Sequence, residues 1–231
     1  MLIYLIILGS CLGSFSSAYI YRYPKGISMI EKHSRCVSCN HKLNWLDLIP
    51  IISWLLLKGR CRYCKMRISR SYLINELLHA TIFGTIYIMT NSLYLSILYG
   101  TFLSIIITLS WIDVLTHTIP IPLLIALIPI TLLLAQTFDQ ISHIFSLLLV
   151  LIPFGACYLL FPNQIGMGDI IFMVVISLML YPQQLLLSLL IACLLALIYL
   201  FWAIRTKRKL IHDALPFVPF LSIGICLVLI I

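Results

Sequence analysis

In this chain of 231 residues, 62% are hydrophobic and 10% are charged, against roughly 25% charged in an ordinary soluble domain, and the mean hydropathy is +1.13. That balance excludes a water-soluble fold and assigns most of the length to membrane spans of about 20 residues each. The net charge of +8 is explained by placement, because all 15 Lys and Arg fall between Arg22 and Arg70 or between Arg205 and Lys209. The positive-inside rule puts both windows in the cytoplasm, so nucleic acid is not needed as a partner.

The first apolar run, Leu2 to Ile20, has no basic stretch before it and no small-residue cleavage site after it, so it reads as a retained span entered from outside. A basic loop follows over residues 21–71, and residues 72–231 form the remaining membrane core. Apolar runs suggest spans at Tyr72–Met89, Leu93–Ile112, Ile119–Gln136, Ile144–Phe161, Ile170–Leu180, Leu185–Ile204 and Ala214–Ile231. The expected fold is therefore an all-α polytopic membrane protein of about eight transmembrane helices, with a cytoplasmic loop after the first. The alternation agrees with the charges, since Arg205–Lys209 then follows the seventh span on the inner side. No internal repeat is evident.

Within the loop, Leu46–Leu57 is strongly apolar but too short to cross a bilayer. It suits docking against the inner leaflet or the bundle, or else the core of a small zinc domain. Cys36 and Cys39, then Cys61 and Cys64, form two C-x2-C pairs in a reducing compartment, where paired cysteines favour metal over disulfide. Two such pairs complete a closed four-thiolate zinc site, which leaves no open position for substrate and so acts by folding the loop. The other four cysteines lie in apolar runs, as small buried hydrophobes.

Four carboxylates stand at or beside apolar segments away from the basic clusters: Glu76, Asp113, Asp139 and Asp169. Each is costly against lipid. Asp139 belongs to a short outer connection and reads as a solvated acid. Asp113 ends one span and Asp169 opens another, both at the inner face by the alternation, so two acids distant in sequence reach one depth. Gly166 and Gly168 precede Asp169 and are expected to permit a backbone break that presents it to a watery cavity. Paired carboxylates share a proton, and such a pair can take a proton from water while hydrogen-bonding a scissile carbonyl. Glu76 and His79 sit three residues apart at the start of the second span, and His117 lies between Asp113 and Pro120. Neither histidine carries a function from its position alone.

The ordered set Gly13-Ser14-Phe15, Tyr21-Arg22-Tyr23-Pro24, Ser34 to Cys39, Asp47 to Trp54, Gly59 to Cys64, Ile68-Ser69, Glu76, Asp113, Ile119-Pro120, Gly166 to Asp169 and Pro216 to Phe220 resembles the type IV prepilin peptidase family over nearly the whole chain. The resemblance implies an intramembrane aspartyl endopeptidase of the bacterial cytoplasmic membrane with Asp113 and Asp169 as catalytic residues. It would cut basic leaders from prepilin or pseudopilin precursors after a glycine, in pilus, type II secretion or competence systems. It also associates Glu76 with N-methylation of the new terminus by S-adenosylmethionine. Ile121, Leu73, Ser16 and Ser17 depart from the family pattern without touching the aspartates. From the residues alone, a proton- or cation-coupled transporter with a structural zinc loop fits an acidic pair beside a broken helix as well. A noncatalytic scaffold is the other alternative.

Overall fold

The computed structural model describes residues 1–29, 33–135, 140–160, 166–206 and 215–230. These fall into two compact units that divide after Ser104. Asp139 and Lys207–Lys209 lie outside the described residues.

The first unit is organised by α1 (Leu2–Arg22) and α3 (Arg70–Thr90). Lipid tails are as apolar as the side chains, so two membrane helices associate through close packing and interhelical hydrogen bonds rather than through the hydrophobic effect. Both devices are present. A Cβ on Gly9 would lie 2.5 Å from the His79 carbonyl oxygen, and one on Gly13 would lie 2.7 Å from the Glu76 Cα, so the helices approach as only glycine allows. Asn75 Nδ2 then donates to the Gly13 carbonyl at 3.0 Å and to Ser17 Oγ at 2.9 Å. Helix α4 (Leu93–Thr116) begins in this unit and continues into the second, and its Gly100 leaves room for the buried Phe83 ring.

Between α1 and α3 the loop holds a short 3-10 turn at Trp45–Leu48 and the helix α2 (Ile52–Leu56). Asn44 and Asp47 close a reciprocal capping box on the 3-10 turn, and Asp47 also accepts from Arg62 Nε at 2.7 Å. Leu46, Leu48, Ile52, Leu55 and Leu56 are all exposed. Side chains so exposed do not form the core of a zinc domain; Trp54 packs over Gly59, and Ile49, Ile51 and Leu57 are half-buried.

The second unit comprises the end of α4, α5 (Ile121–Ala135), α6 (Gln140–Leu160), α7 (Met167–Ser177), α8 (Pro182–Arg205) and α9 (Val218–Ile230). Gly224 of α9 packs directly on the Ser188 carbonyl of α8. Ser146 of α6 donates to the Leu180 carbonyl just past α7 at 2.7 Å.

Among the described residues, α1, α3, α4, α6 and α8 are long and apolar enough to cross a membrane, so the protein is an all-α, multi-pass membrane protein. The other three expected spans are apolar helices of 15, 11 and 13 residues. At about 1.5 Å per residue, α7 rises about 16 Å, against a hydrocarbon core of about 30 Å. Asp113 does not end its helix as expected: His117 N–H donates to the Asp113 carbonyl at 2.9 Å, which carries α4 through Thr116.

Candidate functional site

In the second unit, three helix ends bring the expected acids together. Asp113 sits in the last turn of α4 and is 5% exposed, almost sealed from solvent. Its Oδ2 accepts the backbone N–H of Val218, the first residue of α9, at 3.1 Å. That N–H is one of the donors a helix start leaves without an internal partner, and it carries the positive end of the helix dipole. Ser110, one turn earlier on α4, meets Ser222 Oγ at 2.7 Å, which fixes the same two helices a second time. Asp169, half-buried in the first turn of α7, is close enough to feel the charge of Asp113. His117 is exposed and adopts a left-handed backbone at the end of α4.

The glycines beside Asp169 act differently from the expectation. Gly166 caps α7 with φ −67° and ψ 129°, values any residue adopts, and Gly168 is helical. What they supply is space. A Cβ on Gly166 would stand 3.1 Å from Asp169 Oδ2, and one on Gly168 would stand 3.2 to 3.3 Å from three carbons of Ile119. Gly168 thus lets the Ile119-Pro120 connection lie against α7. Gly168→Ala should destabilise the protein by about 1–3 kcal/mol through overpacking, measured by thermal unfolding in detergent, and Ile119→Ala should restore most of the loss. If the double variant is no better than the single one, that contact is not the reason for the glycine.

The four loop cysteines converge. Their sulfurs lie within 4.8 Å of one another, with Cys36 and Cys64 at 3.9 Å. A tetrahedral zinc with bonds of about 2.3 Å sets its sulfurs about 3.8 Å apart, whereas a disulfide requires about 2.05 Å. The donor set therefore fits structural zinc. It is built by a local repeat that the cysteine spacing alone does not reveal, Arg35-Cys36-x-x-Cys39 and Arg60-Cys61-x-x-Cys64. Each half makes the same turn. Cys36 N–H donates to His41 O and Asn40 N–H to Cys36 O; Cys61 N–H donates to Met66 O and Lys65 N–H to Cys61 O. Asn40 (φ 57°) and Lys65 (φ 60°) take the left-handed position in each, and the His41 and Tyr63 rings meet between the halves, tilted by 37° with centroids 3.7 Å apart. Burial pushes the Cys36 thiol up, but the Cys39 and Ser38 backbone and the neighbouring thiols outweigh it and bring it down to about 7.

Glu76 is buried in the first unit, where its Oε2 accepts the Ile51 N–H at 2.7 Å and Ser14 hydrogen-bonds the same carboxylate. His79 is fully buried, its Nδ1 2.8 Å from the Asn75 carbonyl. Sequence reasoning does not find the partners Val218, Ser222, Ile51 and Ser14. Only Val218 has a local signal: Pro219 beside it marks a helix start, where an unpaired N–H is expected.

With the geometry established, comparison with known proteins gives a consistent set of likenesses. Residues 7–90 match the bacterial peptidase A24 N-terminal domain and residues 100–201 match the type IV leader peptidase family. A Bacillus subtilis protein named prepilin leader peptidase/N-methyltransferase is 30% identical over 234 residues, covering 97% of this chain and 92% of that protein. Proteins of the same name from Myxococcus xanthus and Vibrio cholerae are 43% and 42% identical, over 35% and 32% of this chain. Those two matches span only 24% and 34% of the relatives' own lengths. No solved structure matches the chain. Since the likeness to the Bacillus protein runs almost end to end and the two family regions follow one another in order, the chain belongs to the type IV leader peptidase family.

Proposed function

We propose that this protein is an aspartyl endopeptidase of the bacterial cytoplasmic membrane that removes basic leader peptides from prepilin-like precursors, with Asp113 and Asp169 as its catalytic pair. The observation that carries this reading is that the two carboxylates, one nearly sealed from solvent and the other half-buried, lie at helix ends within range of each other's charge, in a family of leader peptidases. Two neighbouring carboxylates hold one proton between them. The ionised member takes a proton from the attacking water while the protonated member donates to the scissile carbonyl; as the tetrahedral intermediate collapses, the proton taken from water passes to the departing amine and the proton lent to the carbonyl returns to the pair.

Val218 N–H holds one oxygen of Asp113, which leaves the other to share the proton of the pair. Gly166 keeps the space beside Asp169 Oδ2 clear. Gly166→Ala should therefore lower turnover about tenfold with little change in KM, because small misplacements at a catalytic group are costly. Unchanged turnover in that variant would mean the cleared space has no part in catalysis.

The zinc loop, held by Cys36, Cys39, Cys61 and Cys64, is structural in this scheme. N-methylation appears in the names of relatives, and Glu76 is the residue that the family resemblance associates with it. Its carboxylate is buried and hydrogen-bonded by Ile51 and Ser14.

The test is cleavage of a candidate prepilin by purified protein in detergent, with mass spectrometry of the new N-terminus. The expected product begins directly after the leader glycine. A substrate whose glycine is moved two residues into its hydrophobic helix should be left uncut, since the basic leader stays at the inner face and membrane depth sets the scissile bond. A transporter would leave both substrates intact.

A further inference from the structure

The apolar stretch after the first zinc knuckle has an unusual anchor. Ile51 takes φ 62° and ψ −55°, with Ile52 N–H 2.6 Å from the Pro50 carbonyl. This is a γ-turn of the rare, strained hand, in a β-branched residue that seldom accepts positive φ. The Ile51 N–H projecting from this turn is held by the buried Glu76 carboxylate at 2.7 Å.

Glu76 places that turn along a membrane helix. It is six residues into α3 from Arg70, which at about 1.5 Å per residue is about 9 Å below the helix start. Ile51 is therefore held beside the first two turns of α3, and α2 begins from there. Around it, Trp45, Leu46, Ile52, Leu55 and Leu56 are 41 to 77% exposed. On α3 itself Ile74, between Arg70 and Glu76, is 62% exposed, as a lipid-facing residue would be. The chain leaves α2 through the exposed cations Lys58 and Arg60, and from residue 48 to residue 75 it contains no acid. Asp47, just before, is neutralised by Arg62.

We propose that Trp45–Leu57 is a lipid insert: it enters the leaflet in which α3 begins, sets its exposed side chains among acyl chains, and places Lys58 and Arg60 at anionic headgroups. Apolar side chains at interfacial depth and cations able to reach the headgroups are the two halves of interfacial membrane binding. Glu76 is the positioning residue, because its carboxylate holds the turn at that depth. The proposal does not depend on which reaction the protein catalyses.

The test places a genetically encoded nitroxide amino acid at Leu56 of the full-length, zinc-loaded protein in vesicles of phosphatidylethanolamine and phosphatidylglycerol. Relaxation by oxygen, which concentrates in the apolar layer, is compared with relaxation by a water-soluble nickel chelate. The expected result is relaxation dominated by oxygen, shifting toward the nickel chelate when Glu76→Ala removes the anchor. Dominance of the chelate in the parent protein would place Leu56 in water and overturn the insertion. Protection from both reagents would mean a protein surface covers it, which also overturns the proposal. An oxygen-dominated signal unaltered by Glu76→Ala would refute the anchoring role.

Discussion

Asp113→Asn and Asp169→Asn are each expected to lower turnover of a prepilin-like substrate by about 10²–10⁴-fold, the usual contribution of a positioned acid or base. The amide preserves size and much of the hydrogen bonding. At Asp113 the side-chain oxygen can still accept the Val218 N–H, so the junction of α4 with α9 should persist. What is lost is the ability to accept a proton from water and to share one with the partner. The defect should therefore fall on kcat more than on KM. The double variant should be little worse than either single one, because members of a unit are not additive. Asp139→Asn, at a position expected in an outer connection, is the control and should keep full activity. If either single variant retains most of its turnover at matched expression, the pair is not the catalytic unit and the transporter reading gains ground.

Removing the metal should act elsewhere. Purified protein is expected to carry about one zinc per chain. Stripping it with a chelator, or replacing the buried Cys61 by Ser, should open the loop to trypsin at the Lys and Arg residues between Arg22 and Arg70. Zinc peptides gain about 10–16 kcal/mol from structural metal, more than a loop of this size can recover from its own contacts. Cys39→Ser should weaken metal retention in the same direction while leaving the aspartate chemistry in place. Equal trypsin resistance with and without metal would show that the loop folds without the ion. A disulfide trapped in freshly prepared membranes would displace the zinc assignment altogether.

Much of this arrangement is legible in the sequence because it rests on strong, local signals. Uninterrupted apolar runs locate the helices, and the four loop cysteines declare a metal site by spacing alone. Asp113 and Asp169 stand out because a carboxylate beside an apolar run has a large desolvation cost to justify. The parts that escape depend on what the chain meets only after folding. Gly166 and Gly168 read as conformational breaks in the sequence, yet their φ values are ordinary and their role is room for Asp169 and Ile119. Glu76 carries no mark of its attachment to Ile51, because a carboxylate can accept any backbone N–H and sequence names none. Gly9 and Gly13, four residues apart, are a legible sign of close helix contact that the Leu and Ile around them obscure.

The bond from Asp113 to Val218 joins residues 105 positions apart, and this separation sets an order in time. A ribosome adding about 5–20 residues each second completes both aspartates well before it reaches Val218, and after Asp113 it needs about 5–20 s to supply that donor. Throughout this interval Asp113 has no α9 against which to settle. The nascent chain thus enters the bilayer with the junction between α4 and α9 still open, and α9 closes it on arrival.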